Sequence, residues 1–102
     1  MTEKAVSPDQ TLKELFGNPS RVYVGAWIAE HLGEQFTQRD IIEETALPAG
    51  PVSVHTRGFV DLGMVEAVGA EAWRWSPLYQ ALESPFWPVF EALGEAIAAQ
   101  SE

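Results

Sequence analysis

The sequence predicts one mainly α-helical domain with a small β-hairpin, and three observations support that fold class. Apolar residues recur at spacings of three and four, and a capping residue, proline or glycine bounds each such stretch. Two of the predicted helices are joined by a turn of a few residues. Alternating apolar and polar residues follow, with a glycine-containing turn between them. The 102 residues, 46% of them apolar, suffice for one core but not for two.

The first two helices follow a loose tail expected at residues 1–6. Ser7 is the predicted N-cap of the first helix, with Pro8 at its first position and an apolar stripe of Leu12, Leu15 and Phe16. The second helix runs from Asn18 and Pro19 to Gly33. Gly25 in its middle costs about 1 kcal/mol relative to alanine, which indicates a close helix contact. The expected buried residues of the second helix are Val22, Val24, Ala26, Ile28 and Leu32.

A helix-turn-helix is predicted next. Phe36 lies on a very short strand. Thr37 is the natural N-cap of a helix that ends near residues 45–46, and Asp40 is favourably placed in the first turn of that helix. Ile41 and Ile42 point into the core. A turn at Leu47 and Pro48 leads into a helix over residues 49–62, which Gly63 ends. Its predicted inner face consists of Val52, Thr56, Phe59, Val60 and Leu62.

The last third of the chain predicts a hairpin and then helix. Residues 64–68 and 73–76 have the pattern of paired strands around a turn, and residues 77–102 are predicted to be helical with a break at Ser84 and Pro85. Phe86, Phe90, Leu93 and Ile97 repeat at spacings of four, three and four. We interpret this stripe as a homodimer contact, the alternative being that the helix folds back on the first helix of its own domain. The predicted organisation is a tail at 1–6, a domain at 7–83 and a dimerisation helix at 84–102.

Late in the chain, aromatic residues are frequent. The interpretation we favour is a core combined with the dimer contact, and the alternative is a ligand pocket between the hairpin and the last helix. The residues concerned are Trp73, Trp75, Tyr79, Phe86 and Trp87.

The element order resembles a winged helix-turn-helix domain, most closely the ArsR/MarR type of bacterial and archaeal regulators. The resemblance spans roughly residues 12–97. It depends on "LFGNPSRV" (15–22), "FTQRDIIEETAL" (36–47), "GPVSVHTRGFVDLGMVE" (50–66) and "WRWSP" (73–77).

The resemblance implies that residues 49–62 enter the major groove of double-stranded DNA. Arg39, Arg57 and Arg74 would form the basic footprint of one protomer, opposed by nearby carboxylates at Asp40, Glu43, Glu44 and Asp61. The implied contacts are Ser53, Val54, His55 and Arg57 at base edges, and Gln38, Arg39 and Arg74 at the backbone.

Several residues depart from the family pattern. Pro51 replaces a threonine, Val54 and Gly58 replace basic residues, Thr56 replaces a core leucine, and Glu71 lies at the tip of the hairpin. These departures favour the alternative function, a winged-helix protein-interaction module that no longer binds DNA.

Composition limits the other classes of function. Six Lys and Arg against fifteen Asp and Glu give a charge of −9, so DNA binding requires a local basic cluster. The acidic surplus has a second interpretation, solubility in a salt-rich cytoplasm. His31 and His55 lie far apart without Cys or Asp at ligand spacing, and no catalytic motif is present, so we expect no metal, no cofactor and no enzyme activity. The absence of cysteine, of an apolar leader and of a long apolar run predicts a cytoplasmic protein without a membrane span.

Overall fold

The computed structural model describes residues 6–70 and 77–101, with Ala70 described by its backbone only. Most of the tail expected at residues 1–6 lies outside these ranges. The helices and strands of the described residues are α1 (Pro8–Phe16), α2 (Ser20–Ala29), β1 (Gln35–Phe36), α3 (Gln38–Thr45), α4 (Ala49–Asp61), β2 (Val65–Ala70), β3 (Pro77–Ala81) and α5 (Trp87–Ser101).

The starts of α1 and α3 confirm the predicted caps, whereas α2 begins at Ser20 with Pro19, not the predicted Asn18, as its N-cap. The Ser7 side chain accepts a hydrogen bond from the backbone N–H of Gln10 at 3.1 Å, ahead of α1. At α3, the Thr37 hydroxyl accepts from the Asp40 N–H at 3.2 Å, and the Asp40 carboxylate accepts from the Thr37 N–H at 2.9 Å. This reciprocal pair satisfies two backbone donors that the first helical turn leaves without partners. Gly63 adopts a φ of 76° directly after α4, a conformation that glycine reaches without steric cost.

A three-stranded antiparallel sheet in the order β1-β3-β2 supports one side of the helices. Phe36 pairs with Tyr79, Val65 with Ala81, and Ala70 with Pro77. The prediction that residues 77–81 are helical is therefore wrong. Pairing with strands on both sides decides their conformation, which local sequence alone does not show. The predicted turn and return strand at residues 71–76, including Glu71 and Arg74, lie outside the described residues.

The core lies between α2, α3, α4, the sheet and the start of α5. Leu32 and Leu62 were expected there, but they are 47% and 65% exposed. The helices explain this, since α2 ends at Ala29 and α4 at Asp61, so both leucines lie in the turns beyond. Fully buried residues of the core are Val24, Ile28, Phe36, Ile41, Val52, Phe59, Val65 and Trp87.

Helix α1 contributes little to this core. Only Leu12 of its apolar stripe is buried, while Leu15 and Phe16 are 67% and 53% exposed. The contact of α1 with α5 includes the Gln100 amide, which donates to the carbonyl of Val6 and to the Thr11 hydroxyl, each at 2.8 Å. The far end of α1 therefore presents apolar side chains to solvent.

Helix α5 packs closely against α2. The Phe90 ring lies over Gly25, where a Cβ would overlap it, and a Cβ on Gly94 would lie 3.3 Å from the Cβ of Ala26. The close helix contact predicted at Gly25 is confirmed. Phe90 also contacts the rings of Phe59 and Trp87, at centroid distances of 5.4 and 5.9 Å. The terminal helix thus folds back on its own chain, but its main helical partner is α2 rather than α1.

Candidate nucleic-acid interface

Helices α3 and α4 are connected by the three residues 46–48. Ala46 ends α3 with a φ of 62°, and the Thr45 hydroxyl links the turn by donating to the Ile41 carbonyl at 2.6 Å and accepting from the Leu47 N–H at 3.2 Å. These bonds fix the direction in which α4 leaves the turn. The predicted helix-turn-helix is present.

Helix α4 is anchored on one side and free on the other. Val52, Thr56 and Phe59 are buried, whereas Val54 is 60% exposed and Arg57 is exposed. Ser53 is partly buried at the edge of the free side. The inner face therefore holds the helix on the core and leaves its outer face available to a partner.

Arg57 is the exposed cation of this outer face. Asp61 lies one turn further along α4, the spacing at which a helical ion pair forms. Among residues 6–70 and 77–101, however, no carboxylate lies within 4 Å of the Arg57 guanidinium. Its charge is therefore not neutralised by a neighbour on α4.

The α3 candidates have partners within the chain. Arg39 Nε donates to a Glu43 carboxylate oxygen at 3.2 Å, although the Arg39 side chain is 81% exposed. An exposed pair at this helical spacing contributes only about 0.3–0.5 kcal/mol, so it can exchange for another anion. The Gln38 amide donates to the Tyr79 hydroxyl at 3.3 Å, which holds the start of α3 against β3.

His55 is not an exposed base-contacting residue, so that prediction is wrong. Its side chain is 7% exposed because it lies on the flank of α4 that packs against α2. The Nδ1 atom accepts a hydrogen bond from Arg21 Nε at 3.1 Å, which places the proton of the neutral ring on Nε2. Burial, and secondarily the Arg21 charge, lowers the pKa of His55 below its ordinary value of 6.5.

Arg21 is a residue that the sequence interpretation missed. It lies at the start of α2, is exposed, and extends across α4 at Gly58. A Cβ on Gly58 would lie 2.8 Å from the Nη2 atom of Arg21. A glycine inside a helix was the signal available in the sequence, because such a residue costs stability unless another group needs the space.

A polar cluster connects α2 to α3. The Trp27 indole N–H donates to the Glu44 carboxylate at 3.0 Å, and the Trp27 and His31 rings stack with centroids 3.8 Å apart. His31 Nδ1 donates to the Trp27 carbonyl at 2.6 Å, while Nε2 lies 3.8 Å from Glu44. This arrangement fixes the orientation of α3 relative to the core.

An open cavity of about 510 Å³ lies between the end of α4 and the turn before α5. Its walls are mainly apolar, and Arg21 and Glu83 supply charged groups at its lining. Trp73 and Trp75, which the pocket hypothesis also included, lie outside the described residues, whereas Tyr79 and Trp87 belong to the core and Phe86 is 59% exposed.

Within the described ranges 6–70 and 77–101, no group of three or more His, Cys, Asp or Glu side chains is arranged to hold a metal ion. None of the helices there has the length and apolar character needed to cross a membrane.

Comparison with solved structures confirms the winged-helix fold. A mutant of S. aureus MepR bound to oligodeoxyribonucleotide superimposes with a TM-score of 0.59 at 14% identity, over 92% of this chain and 67% of that one. S. aureus MepR in a DNA-binding conformation gives 0.53 at 15% identity, over 91% and 64%. This chain thus spans about two thirds of the MepR chain. No family model and no curated protein matches the sequence.

The confirmed class is a winged-helix domain with five helices and a three-stranded sheet in its described residues. Both of these structures are of MepR, a winged-helix regulator of the MarR family. The resemblance to MarR-type regulators predicted from the sequence is therefore confirmed at the level of the fold.

Proposed function

We propose that the protein is a dimeric transcriptional regulator that binds double-stranded DNA through α4. The observation that supports this proposal is the exposed Arg57 guanidinium, which no described carboxylate neutralises, on a helix whose other face is fixed to the core. Arg57 is long enough to reach a guanine edge or a phosphate, and Ser53 and Val54 are its neighbours along the helix. The DNA-bound state of the similar MepR mutant supports the same use of the fold.

Electrostatics sets the conditions for binding. The whole chain has a formal charge of −9, so affinity depends on a few arginines close to the phosphates. Arg39 can add to this set by exchanging its single exposed contact with Glu43 for a phosphate. Binding is expected to weaken steeply with salt, in proportion to the number of phosphates contacted.

Fluorescence polarisation with labelled genomic duplex fragments at low salt tests this function. Wild type is expected to bind, and Arg57→Ala is expected to weaken binding by about 1–3 kcal/mol if Arg57 contacts a base. Lys13→Ala is the matched control, because it removes one positive charge from an exposed position on α1. Absence of wild-type binding, or equal affinities for wild type and Arg57→Ala, would contradict the proposal.

For the dimer, we propose the exposed face of α5 together with the end of α1. Phe86 and Val89 are 59% and 51% exposed, and Ala92, Ala96 and Ala99 continue the face at spacings of three and four. The Phe90 ring packs mainly inside its own chain, on Gly25. Leu93 and Ile97 are half-buried. The proposed contact is therefore displaced around the helix from the predicted stripe. A second copy would cover apolar area on both helices, and small side chains let helices approach closely.

Light scattering on Val89→Glu tests the dimer. A charge in the contact is expected to convert the dimer to a monomer, because a buried unpaired carboxylate is strongly unfavourable. Val54→Glu is the matched control, since it introduces the same change at a valine on α4 that is also more than half exposed. A monomeric wild type, or an unchanged mass for Val89→Glu, would refute this arrangement.

The second candidate function is a protein-interaction module that uses the same α4 face. The observation in its favour is the apolar exposure of Val54 on α4 and of Leu62 directly after its end, at 60% and 65%. An apolar outer face suits a protein partner better than a DNA groove does. A folded wild type that binds no duplex at low salt would favour this candidate over the first.

A further inference from the structure

The Arg21 side chain is held in a defined position although its helix is not part of the helix-turn-helix. Its Nε–H bond to His55 Nδ1, at 3.1 Å, uses the inner donor of the guanidinium. Its Nη2 atom lies 2.8 Å from the position that a Cβ on residue 58 would take, which is closer than a side chain there would allow. Two contacts with α4 thus orient one planar group.

In the part of the chain that the structure describes, the outer donors of Arg21 have no hydrogen-bond partner. An arginine has five N–H donors, and the bond to His55 uses one of them. In the described part of the chain, no carboxylate lies within 4 Å of Arg21, although Glu83 lines the same cavity. The Nη groups therefore present unneutralised positive charge at the flank of α4.

A purely structural arginine would not be expected to have this environment. Arg21 is exposed, and the buried His55 needs only one donor, which a smaller or neutral residue could supply. The glycine at position 58 costs α4 stability relative to alanine, by about the amount measured for exposed helix interiors. The exposure of Arg21 and the glycine at position 58 are both explained if the Arg21 charge must lie at this place to bind a partner.

We infer that Arg21 delivers to the surface of α4, from α2, a cation that binds a DNA phosphate beside the groove. This inference rests on the proposed DNA-binding function and extends it to a helix outside the helix-turn-helix. The planar guanidinium suits the task, since its paired N–H groups match two phosphate oxygens. His55, neutral and accepting through Nδ1, is the positioning residue for that cation.

The number of phosphates contacted is measured by the dependence of affinity on salt. Each phosphate contact contributes about 0.9 to the slope of log K against log salt concentration. Arg21→Ala is therefore expected to reduce the slope by about 0.9 for each protomer bound, with weaker binding to all duplexes. Lys13→Ala removes the same charge from α1 and is expected to leave the slope unchanged.

Placing the arginine at position 58 instead of position 21 distinguishes a phosphate contact by Arg21 from a role of Arg21 in packing. In Arg21→Ala, the space above Gly58 is vacated, so Gly58→Arg can supply a guanidinium from α4 itself. The double variant Arg21→Ala/Gly58→Arg is expected to regain the wild-type slope. Folding of each variant is checked by its circular dichroism and unfolding midpoint.

The salt-dependence experiment distinguishes failure of the proposed DNA-binding function from failure of the proposed Arg21 contact. If wild type binds no duplex, the proposed function fails and this inference fails with it. If wild type binds but Arg21→Ala keeps the full slope, or if Gly58→Arg restores no part of a lost slope in folded protein, the inference alone is overturned.

Discussion

The Phe90 ring of α5 lies against the bare backbone of Gly25 in α2. This contact brings the two helix axes close together and completes an aromatic group with Phe59 and Trp87. It also connects α5 to α4 through Phe59, the residue whose burial fixes the position of the proposed DNA-binding helix. A substitution at Phe90 would therefore destabilise the fold, so the oligomeric state of such a variant does not test the dimer contact.

Gly25→Ala is expected to destabilise the protein by about 1–3 kcal/mol, because its methyl group overlaps the Phe90 ring and the helices must separate. Urea denaturation followed by circular dichroism measures this change. Gly50→Ala is the control, since a Cβ at that helical position meets no atom within 4 Å. The control should be neutral or stabilising, and an equal loss in both variants would contradict the packing argument.

Thr56→Val is expected to stabilise the protein by about 1–3 kcal/mol. Thr56 is fully buried in α4, and its hydroxyl has no hydrogen-bond partner among the described residues. Valine has nearly the same shape and removes the unsatisfied polar group. Thr56→Ser retains the hydroxyl but loses a methyl group and should be destabilising. If Thr56→Val lowers the unfolding midpoint, the hydroxyl must have a partner in solution.

Glu44→Ala is expected to cost about 1 kcal/mol of folding stability, because the Trp27 indole N–H loses its acceptor. The adjacent Glu43→Ala removes only the exposed pair with Arg39 and should cost no more than about 0.5 kcal/mol. Thermal unfolding compares the two variants. Similar losses for both would mean that water replaces Glu44 at the indole without penalty.

Stability is expected to depend on the protonation of His55. Because its pKa is lowered in the folded protein, the unfolded chain binds a proton more readily as the pH falls below 6.5. The neutral His55 ring therefore contributes fully to the free energy of unfolding above pH 6.5, and this contribution is lost as the pH falls through the folded-state pKa of His55. Denaturation of wild type and His55→Gln at several pH values between 8 and 5 isolates the effect, since other titrating groups are common to both. Parallel stability curves would exclude it.

The local sequence determined the starts of α1 and α3 and the order of the elements up to the hairpin. Ser7 and Thr37 cap their helices as predicted, because capping depends on side chains within three residues of the backbone donors they satisfy. Asp40 was predicted only to favour the first turn of α3, and the structure adds its carboxylate as acceptor of the Thr37 N–H. The close contact at Gly25 was also predictable, since an unexplained glycine inside a helix indicates that a neighbour occupies the space of its side chain. The apolar periodicity of α4 correctly placed Val52, Thr56 and Phe59 inside.

Only the tertiary structure decided the features that depend on distant residues. Residues 77–81 form a strand because β1 and β2 pair with them, and His55 is buried because α2 covers its flank of α4. Phe90 points inward because Gly25 makes room for it, 65 positions earlier in the chain. Likewise, the Arg21 guanidinium lies over α4 because Gly58 has no side chain in that space. Sequence periodicity specifies which side of a helix is apolar, but the partner that covers each side is set by packing between helices far apart in the chain.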